Sequence, residues 1–204
     1  MKKLMTFFIA IVIGSISINA QPVSHQAVIP MAVSLNSILR LNVTSGGNIE
    51  FAFNTITDYT SGVGPGAKYQ TGFTVASSVD FLVNLRAEDA SFIGTDDPAN
   101  TLALDNCGYY VDVTGSGAWT TNYTTNAEQG GGGDPAILTG ADVAIVTSVD
   151  GAGAGDITKN AFQINWEFGT SNGTNMNGSS IMAQSVDADR YTTNVFLTLV
   201  PDYN

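Results

Sequence analysis

The side chains with the most chemistry to offer in this chain are acids. Asp96-Asp97, followed by Asn100, Asp105 and Asn106, gathers oxygen donors within one short stretch, and Asp187-Ala188-Asp189 is a second group. Calcium needs a cage of roughly six to eight oxygens. Asp96, Asp97, Asn100 and Asp105 are therefore the candidate metal ligands, and calcium is the cofactor they would hold. Neither group has the spacing of a helix-flanked calcium loop with its Gly and terminal Glu, and solvated acidic turns account for the same residues. A second chemistry is stacking against sugar rings. Trp119 and Tyr123, with Tyr59 and Tyr69 nearby in loop-like stretches, are the candidate glycan contacts. Tyrosines at strand ends are also common packing material. Trp166 alternates with strand apolars and reads as core.

Catalytic chemistry is harder to assemble. His25 is the sole histidine and lies near the front of the chain, where a positioned general base is improbable. One His and one Cys make no zinc cluster. Cys107 has no second cysteine to bridge to and reads as a small apolar core residue beside Tyr109 and Tyr110, with a reactive thiol as the alternative. Glu50, Glu88, Glu128 and Glu167 could in principle supply a glycosidase pair with an Asp. Glu50 and Glu167 alternate with Ile49, Phe51, Trp166 and Phe168, the pattern of solvent-facing residues on half-buried strands. The Gly-rich stretches 62–66, 130–133 and 151–155 lack the following helix and lysine of a phosphate cradle, and read as mobile surface loops. The sequence thus points away from an enzyme.

The elements that must position these residues are strands. Ala27, Ile29, Met31, Val33 and Leu35 fall on one face of an alternating segment. Further runs are Ile38–Thr44, Ile49–Phe53, Phe73–Ala76, Phe81–Ala87, Leu102–Leu104, Tyr109–Val113, Val143–Val149, Phe162–Phe168 and Tyr191–Val200. They are rich in Val, Ile, Phe, Tyr and Thr and bounded by Gly, Asn, Asp and Ser, the signature of strands and turns. No window carries a helical stripe, and Thr57–Gln70 reads as an irregular connection. Many short strands without helices predict an all-β, two-sheet antiparallel β-sandwich with long Gly-rich loops.

The front of the chain predicts export. Lys2 and Lys3 precede an apolar run from Leu4 to Ile13, and Ser17-Ile18-Asn19-Ala20 supplies small residues for cleavage after Ala20. The run is too short to span a bilayer, which takes ~20 residues, so no integral membrane segment is expected once the signal, residues 1–20, is removed. Residues 21–204 fit a single domain, secreted or on the surface of a bacterium. The chain carries 18 acids against 7 basic residues, a net charge of −11. After cleavage the basic residues are Arg40, Lys68, Arg86, Lys159 and Arg190, scattered along the sequence. Without a clustered basic patch, nucleic acid is an improbable partner. Four Asn-x-Ser/Thr motifs, at Asn42, Asn122, Asn172 and Asn177, carry little weight in an Asn- and Thr-rich chain with a bacterial-type signal.

Two stretches resemble a known group. Leu41-Asn42-Val43-Thr44-Ser45-Gly46-Gly47-Asn48-Ile49-Glu50-Phe51 resembles the early strand, Gly turn and Asn-apolar-x-Phe segment of secreted bacterial domains related to spore coat protein U. Asp189–Asn204 is similar to the closing strand of those domains and of chaperone–usher pilins. The resemblance covers the two ends; the middle is longer than in a typical pilin, and the two-cysteine disulfide of many pilins is missing. It implies an immunoglobulin-like fold, often a subunit of an extracellular filament. In strand exchange, an extended segment of one subunit completes a sheet of the next through main-chain bonds and alternate side chains. Ala27, Ile29, Met31, Val33 and Leu35 have that spacing, and Pro30 restricts them to an edge position. Residues 21–36 are either such a donor or the domain's own first strand. The expected function is a non-enzymatic structural or adhesive subunit that self-associates or joins related surface subunits. The alternative is a secreted glycan- or calcium-binding module.

Overall fold

The computed structural model describes residues 27–124, 134–172 and 174–203. The chain divides after Leu35. Residues 27–35 form no hydrogen-bonded strand and are exposed throughout. The signal, His25 and Glu128 lie outside the described residues, as does the Gly run 130–133.

From Asn36 onward the protein is all-β, with antiparallel strands in sandwich-like layers. The first sheet has the order β1 (Leu39–Ser45), β2 (Gln70–Ser77), β10 (Ala161–Phe168), β6 (Cys107–Val113) and β8 (Ala136–Ile137). The second runs β12 (Val195–Pro201), β3 (Phe81–Ala87), β9 (Val143–Ser148) and β7 (Tyr123–Thr124). A small third sheet pairs β11 (Tyr191–Thr192), β4 (Ser91–Gly94) and β5 (Thr101–Ala103). Strand pairing sets which side chains share a face. Phe162, Ile164, Trp166 and Phe168 of β10 lie opposite Val113, Val111, Tyr109 and Cys107 of β6, and all but the half-buried Val113 are buried in the core. Phe73 of β2 stacks on Phe162 at 5.2 Å, and the Tyr123 ring meets Phe162 edge-on at 4.9 Å. Phe81, Val83, Leu85 and Ala87 close the core from β3. Each such side chain taken out of water stabilises the fold by about 1.5–3 kcal/mol.

Three expected elements differ. Ile49–Phe53 makes no ladder, yet Ile49, Phe51 and Phe53 still turn toward the core, with Phe51 stacked on Tyr69 at 4.7 Å. Alternation revealed the buried face but not the missing partner strand. The Thr57–Gln70 connection begins within a short helix, α1 (Ile56–Ser61). Thr55 Oγ1 accepts from the Asp58 N–H at 3.2 Å, and Asp58 Oδ2 accepts from the Thr55 N–H at 2.8 Å, a capping box. The closing strand is broken into β11 and β12. At the break, Thr193 Oγ1 donates to Asp89 Oδ2 at 3.1 Å and Asn194 Nδ2 donates to Glu88 Oε2, so the chain passes from the third sheet to the second.

Candidate functional site

The two acidic groups meet in space, with the backbone of one wrapped around the Asp189 carboxylate of the other. Asp189 Oδ1 accepts from the N–H groups of Thr95 (3.1 Å), Asp96 (3.0 Å) and Arg190 (2.6 Å). Asp189 Oδ2 accepts from the Asp97 N–H (3.1 Å) and from Asn100 Nδ2 (3.0 Å). The Asp96 N–H, then the Asn100 amide, hold this carboxyl well below the usual carboxylate range. The 95–97 loop therefore wraps an anion, and that anion is the chain's own Asp189. Asp105 is turned elsewhere and accepts from the Asn177 side chain at 3.2 Å. Among the described residues no group of three or more Asp, Glu, His or Cys comes together as a cation cage.

Of the glycan candidates, Tyr123 is packed inward and Trp119 is half-buried. Tyr123 is fully buried, and its hydroxyl donates to Asn160 Oδ1 at 2.5 Å. Burial pushes that hydroxyl up to about 12. Trp119 lies edge-on to Tyr123 at 6.3 Å, with its indole nitrogen buried. Tyr123 offers no open ring face for stacking on a sugar, while Trp119 is partly buried against the core. The signal that missed this was local: Tyr123 sits among Thr and Asn, while its partner Phe162 is far along the chain.

The Gly-rich stretch 151–155 is tied down, contrary to its reading as a mobile loop. Gly151 and Gly153 N–H groups donate to the Asp80 carboxylate at 2.7 and 2.6 Å, and Lys159 Nζ donates to the carbonyls of Ala152 and Ala154. Asp80 satisfies the donors that a phosphate would otherwise meet.

Of the candidate glutamates, Glu50 is exposed and pairs with Arg190 at 3.6 Å. Glu167 is a correction: it is fully buried, not solvent-facing. It points from β10 away from the sandwich core, opposite Gly108 of β6, beneath the chain around Met176. Burial raises its pKa, and the amide of Asn172, donating to Oε2 at 2.7 Å, opposes that rise. Cys107 is a buried core residue whose thiol is pushed up to about 12 by burial and then by the Glu167 charge.

What remains open is an edge. β1 and β12 each end a sheet, and they lie near one another. Burial drops sharply on reaching them. The inward side chains of β3 are at most 2% exposed, whereas Leu197 and Leu199 beside them on β12 are half-buried and Val195 is 39% exposed. The same decline runs from Phe73 and Val75 on β2 to Leu39, Leu41 and Val43 on β1. β12 carries no charge along its length, while β1 carries Arg40 and a register shift between Val43 and Ser45. Natural edges are commonly protected by charge, proline or a bulge. β12 has only the terminal Pro201.

Described by itself, the segment 27–35 has apolar side chains turned to solvent: Ile29 80%, Met31 89%, Val33 81% and Leu35 91% exposed. No protein-family model matches the chain, and no curated protein matches it. Among the described residues no helix is long and apolar enough to cross a membrane.

Proposed function

We propose that this protein is a non-enzymatic structural or adhesive subunit, exported to the cell surface or beyond. Copies join by strand exchange: Ala27, Ile29, Met31, Val33 and Leu35 of one copy add to the uncharged β12 edge of the next. The observation that carries this reading is the exposed period-two apolar segment. Such a segment left in water is unfavourable, and an edge strand satisfies both its side chains and its main-chain groups. The half-buried leucines of β12 supply the matching apolar surface. Export rests on the signal-like residues 1–20. An immunoglobulin-like fold and kinship with spore coat protein U and pilins rest on the resemblance of residues 41–51 and 189–204. The alternative, a glycan- or calcium-binding module, draws less support, since Tyr123 is buried and Asp189 is saturated with donors.

The test is deletion of residues 21–36 from the mature protein, followed by light scattering after size exclusion and negative-stain microscopy. The deletion is expected to abolish polymers and leave a soluble monomer, and added synthetic 27–35 peptide should bind it. Mature protein that stays monomeric at every concentration would overturn the reading.

A further inference from the structure

β12 presents its main chain to the open edge through alternate residues. It pairs with β3 without a register shift, Val195, Leu197 and Leu199 standing opposite Ala87, Leu85 and Val83. Just beyond the two ends of this ladder, the Glu88 N–H donates to the Asn194 carbonyl and the Asp202 N–H to the Asp80 carbonyl, both at 2.8 Å. Antiparallel neighbours exchange bonds at every second pair, so the even-numbered residues of β12 bond to β3. Val195, Leu197 and Leu199 therefore turn their N–H and C=O groups to the open edge, while their side chains share the core face with Ala87, Leu85 and Val83.

An incoming strand that lays Ala27, Ile29, Met31, Val33 and Leu35 on that same face can meet the edge in two directions. Running antiparallel, its inward residues stand opposite Val195, Leu197 and Leu199 and exchange the main-chain bonds themselves. Pro30, which has no N–H, then turns its nitrogen away from β12. Running parallel, each edge residue bonds instead to the two residues flanking its opposite number, so the donors needed are those of positions 28, 30, 32 and 34. Position 30 is proline, and that rung is lost.

The tether decides which copy can offer the better direction. Ile38 is fixed at the turn between β2 and β3, its N–H donating to Ser78 Oγ at 2.8 Å and its carbonyl accepting from the Ser78 N–H at 3.0 Å. That turn leads into Phe81, the partner of Pro201 at the end of β12. Only Asn36 and Ser37 separate Leu35 from Ile38, a reach of about 11 Å, whereas β12 is about 20 Å long. On its own copy the segment could cover β12 only with Leu35 at the Pro201 end and Ala27 toward Val195, which is the parallel direction. A second copy has no such constraint.

We propose that the β12 edge takes the 27–35 segment of a second copy running antiparallel, and that Pro30 sets this choice by spoiling the parallel alignment open to the chain's own segment. The proposal rests on the strand-exchange reading given above and adds its direction and its exclusion of self-closure. In the joined state Pro30 lies on the new outer edge, where its missing N–H leaves a gap for any further strand.

The experiment mixes mature single-cysteine variants in pairs, so that a short bis-maleimide can join only different copies, with the buried Cys107 common to all. Val28→Cys with Val200→Cys should link about fivefold more than Val28→Cys with Phe196→Cys, because the two β12 positions lie four residues apart along the strand. The reverse preference overturns the antiparallel direction and leaves strand exchange standing. Polymers in which neither pair links overturn β12 as the acceptor, and a native protein without polymers removes strand exchange itself and this proposal with it. A link within monomers of the double variant Val28→Cys/Phe196→Cys overturns the exclusion of self-closure. Proline placement gives a second readout. Ala32→Pro should keep association within about threefold, while Met31→Pro should weaken it more than about tenfold relative to Met31→Ala. The opposite ranking overturns the proposal.

Discussion

The outer face of the first sheet around Glu167 and the edge formed by β1 and β12 are opposite solutions to the same problem, a sheet surface that must be covered. Around Glu167 the chain supplies its own cover, and it does so tightly enough to strip water from an acid. At β12 the body from Asn36 onward leaves Leu197 and Leu199 half-buried and Val195 open. Complete closure makes a region sensitive to charge. Incomplete closure leaves apolar surface beside unpaired main-chain groups, which is what the proposed strand exchange would use. Both derive their interest from how far burial has gone.

The largest expected effect tests the gradient from β3 to β12. Leu85→Ala removes a core side chain that is 2% exposed and should cost about 2–5 kcal/mol in urea unfolding. Leu199→Ala, on the half-buried edge, should cost about half as much in the monomer. Equal losses would mean the edge is as closed as the core, and the comparison would collapse.

The comparison also marks what the sequence could reveal. Period-two patterning placed β3, β9 and β10 almost to the residue, because turns bound them on both sides and, in β3 and β10, the apolar face is buried along its whole length. It failed where local pattern and long-range pairing part company. Ile49–Phe53 has the alternation and the buried face but no partner strand. Tyr191–Val200 reads as one run because nothing local announces that Thr193 and Asn194 bond to Asp89 and Glu88 a hundred residues earlier. Glu167 was misread for a related reason. Alternation correctly assigned it to the face away from Trp166 and Phe168, but that face is covered by Met176, which only the fold brings there. The capping box of α1, by contrast, was present in the sequence as Thr55-x-x-Asp58 ahead of a run too short to show helical periodicity.

A smaller effect tests the closed region. Burial raises the folded-state pKa of Glu167 above its unfolded value, so the folded protein binds the proton more tightly than the unfolded chain. Stability from this group is fully present below the unfolded carboxyl pKa and falls as pH rises through the folded one. Glu167→Gln keeps the shape and the hydrogen bond from Asn172 needs only the amide oxygen. The variant should be more stable than the native protein above neutrality, by about 1–3 kcal/mol, the usual cost of a buried group left unsatisfied. Near pH 4 the advantage should vanish. Thermal melts of both proteins across the pH range check it, and an advantage that is constant with pH would assign the effect to packing rather than charge.

The smallest effect on stability carries the sharpest information about the edge. Val195 faces the same side as Ala87, Leu197 and Leu199, yet remains 39% exposed, so a lysine there can keep its stem against the apolar surface and its ammonium in water. Val195→Lys should therefore change folding stability by about 1 kcal/mol or less. For an incoming strand the same lysine is an inward-pointing charge in the layer that Ile29, Met31 or Val33 would occupy, a device by which natural sheets refuse extra strands. Self-association measured by light scattering should be lost while the melting curve barely moves. If Val195→Lys polymerises as the native protein does, the receptive edge is not β12, and the β1 edge at Val43, 42% exposed, becomes the position to charge next.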